Sequence, residues 1–255
     1  MNVEDINAVI TGGSSGLGKA TAEIILSNGG KVTILDTQKD IGEEFAKNSG
    51  QKCAFLYTDV TDEKSVAESL NLSQKNFGAL NLIVNCAGVG APEKILGKEK
   101  THSTFTFEKV VKVNLTGTFN VIKHSADLMQ KNQSNEDGFR GLIVNTASTA
   151  AYDGQIGQAA YSASKGGIVS MTLPIARELA RFGIRVCTIA PGLFETPMLQ
   201  GLPEKAYNSL IETTLYPKRL GFPHEYAKLV IAIYKNNMLN GETIRIDGAL
   251  RMSPK

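Results

Sequence analysis

Short apolar runs alternate with amphipathic stretches along the whole chain, and this alternation limits the possible folds more than any other feature of the sequence. Residues 8–11 (AVIT), 31–36 (KVTILD), 53–59 (CAFLYTD), 80–85 (LNLIVN), 141–146 (GLIVNT), 185–190 (RVCTIA) and 242–247 (ETIRID) read as strands. Helical patterns fall at about 16–28, 62–77, 106–131, 159–182 and 223–236; in the first, Leu17, Ala20 and Ile24 recur at helical spacing. Strands that are apolar throughout are covered on both faces, which is how parallel sheets are built. The expectation is therefore an α/β, doubly wound Rossmann fold, with residues 1–255 as a single domain. Three stretches, 89–105, 132–140 and 193–220, fit no element. The first and last follow strand C-termini, where open α/β sheets bind ligands, so both are candidate substrate loops.

Composition narrows the function. The chain has 255 residues, of which 42% are hydrophobic, enough for a sizeable core. Its 27 basic and 25 acidic residues leave a formal charge of +2, which argues against a dedicated nucleic-acid binder. Every apolar run is too short to span a membrane. Glu4 and Asp5 argue against an Arg-rich transit peptide, so a mitochondrial address would have to reside in the folded region. Cys53, Cys86 and Cys187 are widely spaced and form no zinc pattern, so no metal is expected; they read as small buried hydrophobes in a reducing compartment.

The first strand runs into Thr11-Gly12-Gly13-Ser14-Ser15-Gly16-Leu17-Gly18, and a helix follows. Glycines let the backbone approach a pyrophosphate, and the helix N-terminus supplies free N–H groups. Asp36 closes the second strand, eighteen residues past Gly18. A carboxylate there accepts from the hydroxyls of an adenosine ribose and repels a 2′-phosphate, which favours NAD over NADP. No Lys or Arg lies among Gly13 to Gly16, although Lys39 is not far along. Asp59-Val60 ends the third strand and Asn85-Cys86-Ala87-Gly88 the fourth, on the same sheet edge. Asp59 can meet the adenine amino group there, and small residues after Asn85 let the cofactor pass. Taken singly, Asp59 and Asn85 are more often turn formers.

Tyr161 and Lys165 share a helix face at i and i+4. A lysine cation lowers a tyrosine pKa, which would suit Tyr161 to general acid–base work near neutral pH. Such a pair alone is common. Ser148, after the fifth strand, lies on the ligand edge and can hold a substrate oxygen. Asn114 sits inside a long helical pattern, where its side chain competes for backbone hydrogen bonds. It can open the helix there and hold a water.

Together, TGGSSGLG, NCAG, Asn114, Ser148, the Tyr161/Lys165 pair and Pro191-Gly192 resemble the short-chain dehydrogenase/reductase family, over essentially the whole chain. The resemblance implies one domain with a seven-stranded parallel sheet. It implies Tyr161 as acid/base, Ser148 as substrate orienter, Lys165 on the nicotinamide ribose, and Asn114 in a proton relay. Thr196 matches the residue that holds the nicotinamide carboxamide.

Residues 145–173, 189–197 (IAPGLFETP) and the tail LNGETIRIDGALRM are more closely similar to one subfamily, mitochondrial homotetramers that oxidise short and branched 3-hydroxyacyl-CoA thioesters and some hydroxysteroids with NAD. That similarity implies cofactor contacts from Ser15, Leu17, Asp36, Asp59, Val60, Cys86, Phe194 and Thr196, and a substrate contact from Gln155. Oligomerisation would use the helices near 106–131 and 159–182. Residues 91–106 match less well; Lys94, Lys98 and Lys100 there can meet CoA phosphates or simply be solvated. Two other readings remain open. One is an NADPH-dependent 3-oxoacyl-acyl-carrier-protein reductase, against which Asp36 argues. The other, which only the similarity implies, is a non-catalytic subunit of mitochondrial ribonuclease P, bound to a tRNA methyltransferase. The compartment implied is mitochondrial, with cytoplasmic as the alternative.

Overall fold

A computed structural model describes residues 1–197 and 210–254 of the chain. Seven strands form one sheet: β1 (Asn7–Thr11), β2 (Lys31–Asp36), β3 (Cys53–Tyr57), β4 (Leu82–Asn85), β5 (Gly141–Thr146), β6 (Ile184–Pro191) and β7 (Thr243–Ile246). They are all parallel, in the order β3-β2-β1-β4-β5-β6-β7. The strand order reverses between β1 and β4, which opens a crevice at their C-terminal ends.

The helices divide between the two faces. Ala8, Ile10, Leu82, Val84, Leu142 and Val144 pack on one face with Ala22 and Ile25 of α1 (Gly16–Ser27). Tyr226, Val230 and Ile233 join them there from a second helix, Pro223–Lys235. Val9, Ile83 and Ile143 face the other way. They meet Val66 and Leu70 of α3 (Glu63–Phe77), Val121 and Ile122 of α5 (Thr118–Met129) and Ala176 of α6 (Ala159–Leu179). This is strand geometry at work, since successive side chains point to opposite faces. Two further helices among the described residues are α2 (Lys39–Ser49) and α4 (Thr104–Val111); the Pro223–Lys235 helix already met is labelled α7.

Local chemistry sets the helix ends. The Asp62 carboxylate accepts from the N–H groups of Lys64 and Ser65 and caps α3. Pro223 begins α7, and Glu225 reaches back to the Phe222 N–H at 2.8 Å. At the other end of α7, the guanidinium of Arg185 at the start of β6 binds four carbonyls. They belong to Ile233, Tyr234, Asn236 and Leu239, at 2.8 to 3.1 Å. A buried cation thus serves carbonyls that the helix end leaves open.

The structure departs from the sequence reading in three places. Helix α2 was not anticipated from its pattern. The single helix expected at 106–131 is α4, a π-helical turn at Lys112–Gly117, and α5. The long helix begun at Ala159 ends at Leu179 and closes in a 3-10 turn, Ala180–Phe182. The stretch 132–140 is a stitched loop: Asn132 Nδ2 donates to the carbonyls of Leu80 and Arg140. Of the candidate substrate loop 193–220, residues 198–209 lie outside the described residues. Among the described residues, no helix is long and apolar enough to cross a membrane.

Arg185→Ala is expected to destabilise the protein by about 2–4 kcal/mol, because buried carbonyls lose a charged donor. The check is a lower urea midpoint with an unchanged m-value. Arg185→Lys should recover less than half of the loss, since one ammonium cannot span four carbonyls.

Candidate active site

The turn after β1 is built for close approach. Gly12 has φ +62°, and a Cβ there would lie 2.8 Å from the Ala87 nitrogen. A Cβ on Gly18 would collide with the Gly12 carbonyl. The glycine turn, the start of α1 and the loop after β4 are thus pressed together. Ser15, at the N-cap of α1, makes no capping bond with its side chain, and no acid lies in the first turn. The N–H groups of that turn have no side-chain cap, which suits them to an anion.

Asp36 closes β2 beside this turn and is 8% exposed. Its Oδ2 accepts from the Ser14 N–H at 3.1 Å and its Oδ1 from the Gln38 N–H at 3.0 Å. A carboxylate offers about four acceptor positions, so each oxygen keeps one for a ligand hydroxyl. Asp59, two residues past β3, accepts from the Thr61 N–H at 2.8 Å. The Val60 carbonyl is tied to α5 by Asn120 Nδ2 at 3.0 Å. Asn85 donates to Asn145 Oδ1 at 2.9 Å, which joins β4 to β5. The Ala87 N–H donates to the Thr11 hydroxyl at 3.1 Å. A Cβ on Gly88 would lie 3.2 Å from Asn114 Oδ1 and 3.5 Å from Lys165 Nζ, so the loop after β4 runs directly under both.

After Pro191 the chain bends back over the crevice. A Cβ on Gly16 would be 3.4 Å from the Thr196 methyl group, so Thr196 borders the glycine turn. Phe194 is instead packed into the core, its ring against Gly221. The glycine cradle, the uncapped helix and the spare acceptors of Asp36 fit a dinucleotide. No basic side chain lies beside Asp36 in the turn to receive a further phosphate.

Ser148 stands at the N-cap of a 3-10 turn, Thr149–Ala151, and its hydroxyl accepts from the Ala150 N–H at 3.1 Å. Burial pushes the Tyr161 phenol above its ordinary pKa, and a hydrogen bond to Ser148 pulls it partway back. This differs from the sequence expectation, in which Lys165 lowers it. The reason is that desolvation of the phenol itself dominates; Lys165 is buried as well, 4% exposed, with its ammonium on the Thr146 carbonyl at 2.7 Å. That ammonium is 5.8 Å from the centre of the Tyr161 ring, and its own pKa is driven down to about 8 by burial.

Asn114 lies in the π-helical turn, and the helix is indeed opened there. Its side chain is fully committed. Oδ1 accepts from the Val89 N–H at 2.8 Å, and Nδ2 donates to the Val89 carbonyl at 2.9 Å and to the Ser164 hydroxyl at 3.0 Å. It is a clamp between the loop after β4 and α6. Ser164 was not singled out from the sequence. Its signal is a small polar residue at a buried helical position, three past Tyr161, and its hydroxyl donates to the Tyr161 carbonyl at 2.8 Å. Gln155 is turned elsewhere, its amide donating to the Ser253 carbonyl at 3.1 Å. Lys94, Lys98 and Lys100 are exposed, and Lys100 pairs with Glu93 at 3.8 Å.

Comparison with known proteins follows this geometry. The family model described as short chain dehydrogenase matches residues 7–206. The chain is 54% identical to 3-hydroxyacyl-CoA dehydrogenase type-2 of Drosophila melanogaster, over 99% of this chain and 100% of that one. It is also 54% identical to the protein of that name from Homo sapiens, over 99% and 98%. The crystal structure of 3-hydroxyacyl-CoA dehydrogenase type-2 from Mycobacterium avium superposes with a TM-score of 0.93 at 37% identity, covering 97% of this chain and 96% of that one.

A buried lysine whose pKa falls from 10.5 to about 8 carries a cost of about 3 kcal/mol at neutral pH. Below pH 8 both folded and unfolded chains hold the proton, and the folded one bears the whole penalty. Between pH 8 and 10.5 the unfolded chain binds more protons, so the penalty fades as pH rises. Lys165→Met should therefore stabilise the cofactor-free protein at pH 7, with the gain vanishing toward pH 10.5. Thermal melts of both proteins across this range provide the check.

Proposed function

The chain belongs to the short-chain dehydrogenase family, and from that premise we propose that it oxidises 3-hydroxyacyl-CoA to 3-oxoacyl-CoA with NAD, reversibly. One observation carries the chemistry. A half-buried tyrosine, its phenol bonded to the Ser148 hydroxyl and its ring 5.8 Å from the buried Lys165 ammonium, stands beside the loop after β4 and the glycine turn that fits a dinucleotide. The substrate class rests on the similarity to 3-hydroxyacyl-CoA dehydrogenases over nearly the full length.

When bound, the nicotinamide supplies the hydride acceptor. Ser148 holds the 3-hydroxyl oxygen of the substrate, and Tyr161 takes its proton. The Lys165 cation binds the nicotinamide ribose and stabilises the phenolate against burial. Asn114 keeps the loop after β4 and helix α6 in register; its part in a proton relay rests on the family resemblance alone. Gly12, Ser15, Gly16, Leu17 and Gly18 receive the pyrophosphate. Asp36 receives the adenosine ribose, and Asp59 and Val60 the adenine. Asn85, Cys86, Ala87 and Gly88 line the floor; Pro191 and Thr196 form the far wall, and Phe194, expected there too, backs it with its ring in the core. Gln155 borders the acyl group once its amide leaves Ser253. The candidate substrate loops are 89–105 and 193–220, of which residues 198–209 lie outside the described residues; Lys94, Lys98 and Lys100 in the first are exposed and available to CoA phosphates.

The chain assembles as a homotetramer through the outer faces of α4, α5 and α6. Phe105, Phe119 and Leu173 are exposed there, at 75%, 47% and 43%. A mitochondrial location follows from the resemblance alone. Hydroxysteroids are secondary substrates on the same ground. Asp36 disfavours the NADPH-dependent reductase reading. A tRNA-processing role bound to a methyltransferase draws no support from relatives named for dehydrogenase activity.

The deciding assay is NAD reduction over a series of 3-hydroxyacyl-CoA chain lengths, with hydroxysteroids alongside. Absence of turnover on every acyl-CoA would overturn the substrate assignment. Tyr161→Phe should lower kcat/KM by about 10³-fold while NAD still binds. In the oxidation direction kcat/KM should rise with pH, because burial holds the phenol protonated. NAD should be preferred to NADP by ~10²-fold, since a carboxylate opposite a phosphate costs several kcal/mol. Asp36→Ala should remove most of that preference, read as the ratio of kcat/KM values for the two cofactors.

A further inference from the structure

The strand parity that sorts the core also brings together Thr146 and Tyr226, two residues the catalytic reading leaves without a purpose, at Cys86. Cys86 follows Leu82 and Val84 onto the α1/α7 face, and Thr146 follows Leu142 and Val144 onto the same face. Asn85 pairs with Asn145 in register, so Cys86 and Thr146 stand level at the ends of β4 and β5. Tyr226 of α7 is fully buried against them. Its hydroxyl lies 2.7 Å from the Thr146 hydroxyl. The Thr146 hydroxyl donates to Cys86 Sγ at 3.5 Å, and the Cys86 thiol donates to the Tyr226 oxygen at 3.7 Å. With Tyr226 donating to Thr146, the three bonds close a ring in which each group gives one hydrogen and accepts one.

A phenylalanine would fill this part of the core as well as a tyrosine, without a hydroxyl to desolvate. What the hydroxyl gains is a grip on Thr146. The backbone carbonyl of Thr146 receives the Lys165 ammonium at 2.7 Å, and two residues later the chain reaches Ser148. We propose that the Tyr226 hydroxyl is a positioning group for the catalytic lysine. Through the ring with Thr146 and Cys86, it fixes the end of β5 on one face of the sheet, so that the Thr146 carbonyl holds Lys165 of α6 on the other. The proposal deepens the dehydrogenase reading above and rests on it.

The electrostatics agree with the geometry. Among the described residues, the titratable groups facing Lys165 are Tyr161 on its own helix, Cys86 from β4 and, through Thr146, Tyr226 from α7. Burial raises the pKa of both Cys86 and Tyr226, so the ring is uncharged at neutral pH. No carboxylate contributes to the Lys165 shift. The ammonium therefore depends on dipoles, and a dipole stabilises a charge only while it is held in place. If the carbonyl loosens, burial remains and the charged form loses its acceptor.

The test uses cofactor-free protein labelled with carbon-13 at the lysine ε position, with Lys165 assigned by its loss in Lys165→Met. Tyr226→Phe should lower the Lys165 titration midpoint by roughly half a pH unit or more. Thr146→Val should do the same, and the double variant should go no further than either single one, as expected for groups acting as a unit. Thr146→Ser keeps the hydroxyl and should restore the original midpoint. In turnover, Tyr226→Phe should lower kcat about tenfold with little change in the acyl-CoA KM. An unchanged Lys165 midpoint in Tyr226→Phe and Thr146→Val, or midpoint shifts that simply add, would overturn the proposal and leave Tyr226 a packing residue. If Tyr226→Phe fails to fold, the contrast between Thr146→Val and Thr146→Ser decides alone. Failure of the wild type to oxidise any acyl-CoA would remove the substrate reading, yet the titration would still decide this one.

Discussion

The centre of this protein is a cation held away from water by a backbone carbonyl. Lys165 is 4% exposed, and its ammonium rests on the end of β5. Leaving solvent drives its pKa down to about 8, and no carboxylate offsets that. The arrangement is costly for folding and useful for chemistry, because a cation without a protein counter-ion is free to stabilise charge that develops on a ligand or on Tyr161. Much of the surrounding structure serves to hold this one group still. The Asn114 clamp fixes α6 from the side of α4 and α5, and Ser164 carries that clamp to the turn of helix before Lys165. Thr146 and Tyr226 fix the carbonyl from the opposite face of the sheet.

The π-helical turn at Lys112–Gly117 shows how such a clamp is made. In a regular α-helix the Asn114 carbonyl would be spent on the backbone four residues on. Here the Thr118 hydroxyl donates to it at 2.7 Å, and the helix widens by a residue at that point. The widened turn sets the buried Asn114 side chain against both Val89 and Ser164. One buried polar side chain thus joins the loop of β4, which carries Gly88, to the helix that carries Tyr161 and Lys165.

The fold was legible because strand burial and helix amphipathicity leave periodic traces. All seven strands lie where apolar runs occur, since a strand covered on both faces is mostly apolar, even though Thr33, Arg185 and Thr188 are buried within strands. Helix α2 left a weaker trace: of its residues only Gly42 is buried, so its pattern reads as solvated surface. The π turn left none, because one extra residue in a helical repeat does not change the spacing of apolar positions enough to be read. The site was legible where chemistry demands a residue type, as with Asp36, Ser148, Tyr161 and Lys165. It was not legible where the demand is on contact. Phe194 packs into the core and Gln155 bonds the tail, and Ser164, Thr146 and Tyr226 matter through partners 3 to 80 residues away. The expected net lowering of the Tyr161 pKa is outweighed for a related reason, because proximity in a helix says nothing of how far the phenol is desolvated.

The two ends of the sheet differ in how they treat polar groups, and the difference separates structure from function. At the N-terminal end, side-chain amides bind the backbone. Asn7 donates to the carbonyls of Gly78 and Ala79, Asn81 to that of Asp5, and Arg185 to the end of α7. Each of these bonds ties a loop down. Unpaired buried atoms do not by themselves mark a site, since Asn7 Oδ1 and Arg185 Nε lack protein partners at this structural end. At the C-terminal end the polar groups are left with capacity to spare. Ser15 does not cap α1, Asp36 keeps acceptor positions, and among the described residues the Lys165 cation has a carbonyl as its one hydrogen-bond acceptor. A sequence selected only for stability would fill these positions, because each filling is locally favourable. Their convergence on the crevice between β1 and β4 is therefore better evidence of function than any one motif. It also explains why the supporting ring of Tyr226, Thr146 and Cys86 must itself be closed: a site that keeps its working groups open needs its foundations satisfied.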